Sequence, residues 1–151
     1  MVCYTKKHHI KFQIDDEDYE RVSQHTWCCN SAGYVSTNIN KRYVSLHQFI
    51  MNTPVGMETD HINGDVSDNR KRNLRICSHA ENQHNQRPRN GSSQYKGVLW
   101  HKQRKKWMAQ IRVDNKNIYL GLFDNEINAA IAYNKKASEY FGEYVWLNII
   151  K

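Results

Sequence analysis

Apolar and polar residues alternate along Ile10-Lys11-Phe12-Gln13-Ile14, the period of a half-buried strand. Asp15 or Asp16 can cap a short helix that runs to Ser23, and Trp27 then reads as a core anchor. Gly33-Tyr34-Val35-Ser36-Thr37 and Arg42-Tyr43-Val44-Ser45-Leu46 form a strand pair around a turn at Asn38-Ile39-Asn40-Lys41. Leu46, Phe49 and Ile50 fall at helical spacing, and Thr53-Pro54 with Gly56 stop that helix near Asn52. A second strand pair follows, residues 59–62 and 74–77, joined by a turn at Asn63-Gly64-Asp65 and a loop through Ser67-Asp68-Asn69-Arg70. Ser78-His79-Ala80-Glu81 has the form of a capping box and predicts a helix from Ser78 that carries Asn82, Gln83 and Asn85 and ends at Pro88.

Arg87-Pro88-Arg89-Asn90-Gly91-Ser92-Ser93-Gln94 has linker composition. Beyond it Trp107, Ala109, Ile111 and Val113 alternate with Lys106, Met108, Gln110 and Arg112. Strands over 95–101, 107–113 and 118–122, with a turn at Asp114-Asn115-Lys116-Asn117, thus put one apolar face under a helix. That helix is capped by Asp124 or Asn125, carries Ile127, Ala130, Ile131, Ala137 and Phe141 on one stripe, and stops at Gly142. The other face, with Lys106, Gln110 and Arg112, is left to dock. The reading is α+β in two domains, residues 1–88 and 95–151, with a basic linker at 89–94.

Charge sharpens this. The chain of 151 residues carries a net +7, and half of its 22 Lys and Arg fall between Arg70 and Lys106, against the single acid Glu81. Trp100, Trp107 and Tyr95 interleave with them, the pattern of a nucleic-acid surface. The acids gather instead in Asp15-Asp16-Glu17-Asp18. No apolar run approaches the roughly 18 residues of a membrane span, and residues 1–10 lack the apolar core of a secretory signal. A cytoplasmic protein is expected. Cys3, Cys28, Cys29 and Cys77 make no Cys-x-x-Cys pair, so neither a zinc knuckle nor a disulfide framework follows.

Candidate chemistry concentrates in Asp60-His61-Ile62-Asn63-Gly64-Asp65 and the residues after it. Asp60 supplies an anionic oxygen and Asn82 a neutral one, which suits a divalent metal that fills its shell with phosphate and water. His61, with an ordinary pKa near 6.5, is the general base for activating water. Neighbours on an ideal strand point to opposite faces, so Asp60 and His61 converge on one phosphate only if the strand end twists or bulges. His47 is either a core or capping histidine or a group that touches a phosphate near the metal.

The spacing Asp60-His61, Asn73, Asn82 resembles the HNH nuclease motif in its homing-endonuclease branch. The motifs are Asp-His-Ile-Asn-Gly-Asp, Asp-Asn-Arg, Asn-Leu-Arg and Glu-Asn-Gln-His-Asn, with Leu46-His47 upstream. The resemblance covers residues 1–88, most strongly 43–86. It implies a ββα-metal core over 58–87, one Mg²⁺ or Mn²⁺ on Asp60 and Asn82, His61 as base, and Asn73 as a brace of the loop. Arg70, His47 and His84 would support the phosphate or the site. His84 lies roughly 200° further round the helix than Asn82. His79, one turn before Asn82, reads as surface. A structural zinc is not expected.

Residues 94–148 resemble the DNA-binding domain of plant Apetala/ethylene-response-factor proteins, through Tyr95-Lys96-Gly97-Val98, Trp107-Met108-Ala109-Gln110-Ile111-Arg112, Tyr119-Leu120-Gly121-Leu122-Phe123-Asp124, Ala129-Ala130-Ile131-Ala132-Tyr133 and Leu147-Asn148. That family lays its three-stranded sheet in the major groove. By position Lys96, Gln110, Arg112 and Tyr119 would face DNA, and Arg87, Arg89, Lys102, Arg104, Lys105 and Lys106 would meet phosphates. Leu99 and His101 stand where the plant proteins usually carry arginine. Such a fusion is familiar in the mobile endonucleases of phages and introns. The expectation is a site-directed DNA endonuclease with double-stranded DNA as partner and no obligate protein partner. A non-catalytic DNA-binding regulator is the rival, and RNA a less suited substrate because its major groove is closed to a sheet.

Overall fold

The computed structural model describes residues 1–6, 9–88 and 91–150. The chain divides into two compact units, residues 1–83 and 84–151. It is α+β throughout, built from small antiparallel sheets and short helices with one long helix.

In the first unit β1 (Val2–Tyr4) pairs with β2 (Lys11–Gln13), setting Cys3 opposite Phe12. The alternation read from the sequence is realised from Lys11 on, with Phe12 and Ile14 buried and Lys11 exposed, while Ile10 lies ahead of the strand and is exposed. A 3-10 turn (Asp16–Asp18) leads into α1 (Tyr19–Ser23), with no side-chain cap from Asp15. Asp15 does something else. Its Oδ2 accepts the Lys71 amide at 2.7 Å, and the Lys71 ammonium pairs with Glu17 and, at 3.3 Å, with Asp18. The acidic run thus clamps the far loop.

A three-stranded sheet follows, β3 (Cys28–Cys29), β4 (Val35–Ile39) and β5 (Arg42–Ser45). Its hairpin turn is shorter than the sequence suggests. Only Asn40 and Lys41 form it, both left-handed with φ 51° and 65°, the form that matches strand twist. Then α2 (Leu46–Met51) ends on a left-handed Asn52 (φ 49°), ahead of the Thr53-Pro54 stop. Phe12, Ile14, Val22, Trp27, Val35, Leu46, Ile50 and Leu74 make the core, with the Trp27 indole N–H donating to the Val22 carbonyl at 2.8 Å.

β6 (Glu58–His61) and β7 (Leu74–Cys77) form a two-stranded ladder, Asp60 opposite Arg75 and His61 opposite Leu74. The capping box closes as expected: Glu81 Oε2 accepts from the Ser78 amide at 2.7 Å, and Ser78 Oγ accepts from the Glu81 amide at 3.3 Å. The helix it starts, α3 (His79–His84), stops short of Pro88. The His84 carbonyl is taken by the Trp146 amide and the Lys96 ammonium, and the Gln86 carbonyl by the same ammonium, so the chain leaves the helical path.

In the second unit β8 (Val98–His101), β9 (Lys106–Val113) and β10 (Lys116–Phe123) form an antiparallel sheet with β9 central. Asp114 and Asn115, at φ 47° and 61°, make the tight β9–β10 turn. Helix α4 (Glu126–Phe141) is capped by Asn125, whose Oδ1 accepts the Ile127 amide at 2.7 Å. It meets the sheet through Ala129, Ala130 and Ala137, all fully buried, and small side chains let helix and sheet approach closely. Gly97 shows how closely: at φ +75° a Cβ there would sit 2.0 Å from the Tyr133 ring. No helix among the described residues is long and apolar enough to cross a membrane.

Candidate functional site

β6, β7 and the loop between them carry the chemistry. Gly64 at φ 67° allows the turn after His61, closed by its amide on the His61 carbonyl at 2.9 Å. Asn73 then ties the loop at both ends. Its Oδ1 accepts the Asn63 amide at 3.0 Å and its Nδ2 donates to the Asp68 carbonyl at 2.8 Å. Arg70 folds back on Asp68 through two bonds of 2.6 Å, which hold that carboxyl below its usual range.

The β6–β7 register is unbroken through Asp60 and His61. The two side chains therefore leave on opposite sides of the strand. On one side Asp60, 8 % exposed, accepts from Arg75 Nε at 3.1 Å and Nη2 at 2.7 Å. Glu58, two residues earlier, shares that side by alternation. Its carboxylate accepts from Asn82 Nδ2 at 2.6 Å and meets His79 Nδ1 at 2.7 Å. The hydrogen bond from Asn82, then that with His79, keeps the Glu58 carboxyl below its usual pKa. Asn82 is thus brought to the side of β6 that Asp60 occupies.

On the other side His61, 4 % exposed, lies with Nε2 3.2 Å from Asn69 Oδ1. Its ring is 4.9 Å from that of His47, and Tyr34 flanks both. Burial, then repulsion from His61, pushes His47 down to about 3. Burial also lowers His61, against the raising effect of the Asn69 bond and of the Asp60, Asp65 and Asp68 carboxylates. His47 is thus neutral at pH 7, and burial favours the neutral form of His61, the form that can accept a proton.

The donor set suits a hard divalent cation. With Nδ2 of Asn82 turned to Glu58, its carbonyl oxygen is the atom left to ligate, and Asp60 offers a carboxylate. No three His, Cys, Asp or Glu side chains gather as a metal cluster among the described residues. Glu58, Asn69 and Arg75 were not singled out from the sequence. Glu58 and Arg75 are legible there as the alternate and cross-strand neighbours of Asp60. Asn69 is not, because the loop's path decides where its side chain points.

His84 stacks on Phe141 with ring centroids 3.6 Å apart, within the second unit. Arg87 lies over the Trp146 ring at 5.1 Å. Lys96 is turned inward onto the His84 and Gln86 carbonyls, both at 2.7 Å, and burial pulls its pKa down to about 8. Arg89 lies outside the described residues. The open face of the sheet presents Gln110 opposite Tyr119 and Arg112 opposite Asn117. Lys106 sits at the β8 end of that face, 3.0 Å from Asp124, and Lys102, Arg104 and Lys105 are exposed in the β8–β9 turn.

Three comparisons bear on these sites. No solved structure matches the chain. About two fifths of the chain is similar to plant proteins. An AP2-like ethylene-responsive transcription factor, TOE2, of Arabidopsis thaliana is 36 % identical over 63 residues, 42 % of this chain and 13 % of the relative. Dehydration-responsive element-binding protein 2D of Arabidopsis thaliana is 41 % identical over 66 residues, 41 % of this chain and 31 % of the relative. APETALA2-like protein 2 of Oryza sativa is 40 % identical over 55 residues, 36 % of this chain and 13 % of the relative. The chain therefore spans at most about a third of the length of these relatives. Residues 52–84, which hold Asp60, His61, Asn73 and Asn82, match the family model of the HNH endonucleases.

Proposed function

We propose that the protein is a metal-dependent DNA endonuclease of homing type, in which the first unit hydrolyses a phosphodiester bond and the second holds double-stranded DNA. The observation that carries this is a buried His61 beside Asp60, with Asn82 brought to the Asp60 side of β6. His61 takes the proton of the attacking water. A phosphate within reach of both Asp60 and His61 lies against the edge of β6, because the two side chains leave on opposite sides. A divalent cation, Mg²⁺ or Mn²⁺, held by the Asp60 carboxylate and the Asn82 carbonyl would stabilise the phosphorane charge and the leaving 3′-oxygen. Arg75 orients Asp60, and Asn73 keeps the loop in shape. The face with Gln110, Arg112 and Tyr119 would lie in the major groove, while Lys102, Arg104 and Lys105 meet phosphates.

The test is cleavage of plasmid and phage DNA with Mg²⁺ or Mn²⁺ by wild type and His61→Ala. Cleavage by wild type alone supports the assignment, and equal cleavage by both refutes it. Specific binding without cleavage in any divalent metal would instead make the protein a DNA-binding regulator.

A further inference from the structure

Glu58 stands two residues ahead of Asp60 on β6, and its carboxylate grips helix α3 at two places. Its Oε1 meets His79 Nδ1 at 2.7 Å, and its Oε2 accepts from Asn82 Nδ2 at 2.6 Å. His79 and Asn82 are three residues apart and so lie on one side of the helix. His79 is largely exposed, whereas Asn82 is half-buried and carries the amide assigned above to the metal. The Glu58 backbone is fixed opposite Cys77 in the β6–β7 ladder, so the carboxylate is delivered from a strand rather than from a loop.

An asparagine amide has two ends of nearly equal size and opposite character, and its last torsion is loosely held. With the oxygen toward a cation it is a ligand. Turned over, it points N–H dipoles there and repels the ion. A glutamate carboxyl with an ordinary pKa of about 4.3 is ionised at neutral pH and only accepts hydrogen bonds. The end of Asn82 that faces Glu58 is therefore the NH₂ group, and reversal would press the amide oxygen against a carboxylate oxygen.

We infer that Glu58 is a positioning residue that fixes the Asn82 amide, holding its NH₂ end so that the carbonyl oxygen is the end presented to the divalent cation. The inference rests on the reading of Asp60 and Asn82 as the metal-holding pair. It adds what keeps the neutral ligand the right way round. Asp60 has no such need, because the two oxygens of a carboxylate are alike. Glu58 has a partner at each of its own oxygens and acts through Asn82.

Two measurements on the full chain test this. The first needs no metal. The side-chain amide of Asn82, assigned in ¹H–¹⁵N spectra by its loss in Asn82→Asp, should show one proton slowed in exchange with water, and Glu58→Leu should abolish the slowing. A freely exchanging wild-type amide overturns the inference. The second is Mn²⁺ affinity, followed by the paramagnetic resonance of the free ion, in a cycle of Glu58→Gln with Asn82→Asp. Glutamine keeps the size of Glu58 but donates as well as accepts, so the Asn82 amide loses its preferred sense. With Asn82 in place, Glu58→Gln should weaken Mn²⁺ binding by about 10- to 100-fold. With Asn82→Asp, whose two oxygens are alike, the same change should weaken it far less. Equal weakening in both backgrounds overturns the inference, because Glu58 would then act by charge or as a ligand. His79→Ala removes the neighbouring bond and should leave the affinity as in wild type. A loss to match Glu58→Gln would make Glu58 a staple between β6 and α3 and overturn the inference too. Asn82→Ala separates the two readings. If it binds Mn²⁺ like wild type, the metal reading and the inference fall together. If it binds weakly and the two backgrounds do not differ, the inference alone falls.

Discussion

The two units hide different things. The first buries His47, Asp60, His61, Asp68, Asn69 and Asn73 around the β6–β7 ladder. The second buries mainly alanines, Tyr95, Tyr133 and aliphatic side chains, with Asn85, Ser93 and Asn148 as its buried polar groups and Lys96 turned inward, and carries Gln110, Arg112 and Tyr119 on the open face of the sheet. Chemistry needs a dry, fixed setting in which a base stays neutral and hydrogen bonds hold their geometry. Docking on a polyanion needs hydrated charge that can be neutralised at the surface. Substitutions at polar positions should therefore act on rate and fold in the first unit. In the second they should act on affinity, unless they touch the helix–sheet seam.

The largest expected effect separates rate from affinity. His61→Ala should lower single-turnover cleavage by about 10²- to 10⁴-fold, the usual weight of a general base, while a gel-shift assay shows DNA held as before. Parallel loss of binding would erase the distinction between the units. Next comes Gly97→Ala, which forces a methyl into the Tyr133 ring at a left-handed position. It should cost the second unit about 3 kcal/mol, read as faster hydrogen exchange in β9 and α4. Unchanged exchange there would show that the seam has slack.

Acid should discriminate the units as well. His47 stays neutral in the fold down to about 3, whereas in the unfolded chain it takes a proton near 6.5. Between these values the unfolded state binds more protons. The stability is complete above roughly pH 6.5 and falls by about 1.4 kcal/mol for each pH unit below it. Hydrogen exchange at pH 7.5 and pH 5 should loosen β6 and α2 in wild type and much less in His47→Leu. Lys96, the buried cation of the second unit, titrates near 8 and so stays protonated through that interval. The smallest effect is at the docking surface. Arg104→Ala should weaken DNA binding for all sequences alike and reduce the slope of log affinity against log salt by about one. An unchanged slope would remove Arg104 from the phosphate contacts.

Much of this was legible because short-range rules decide it. Alternation located β2 and β9, helical spacing located α2 and α4, and Ser78 with Glu81 announced the start of α3. The strands β1 and β3 escaped, since three and two residues are too few to show a period. The sequence places Asp60, His61, Asn73 and Asn82 at family spacing. It does not reveal that Asn69 reaches His61 through a loop held on β2. Lys96 misleads for the same reason. Its charge suggests DNA, and only the path of residues 84–86 turns it inward.

The clamp on Lys71 has a bearing on the order of assembly. Asp15 and Glu17 reach a residue 56 and 54 positions further along the chain. Closing so wide a loop is an entropic cost met only after distant segments have met. The N-terminal acids are synthesised first and must wait for Lys71. The loop that carries Asn69 and Asn73 is then anchored at Lys71 by Asp15 and Glu17. Formation of the candidate site is in this way coupled to contacts that span most of the first unit.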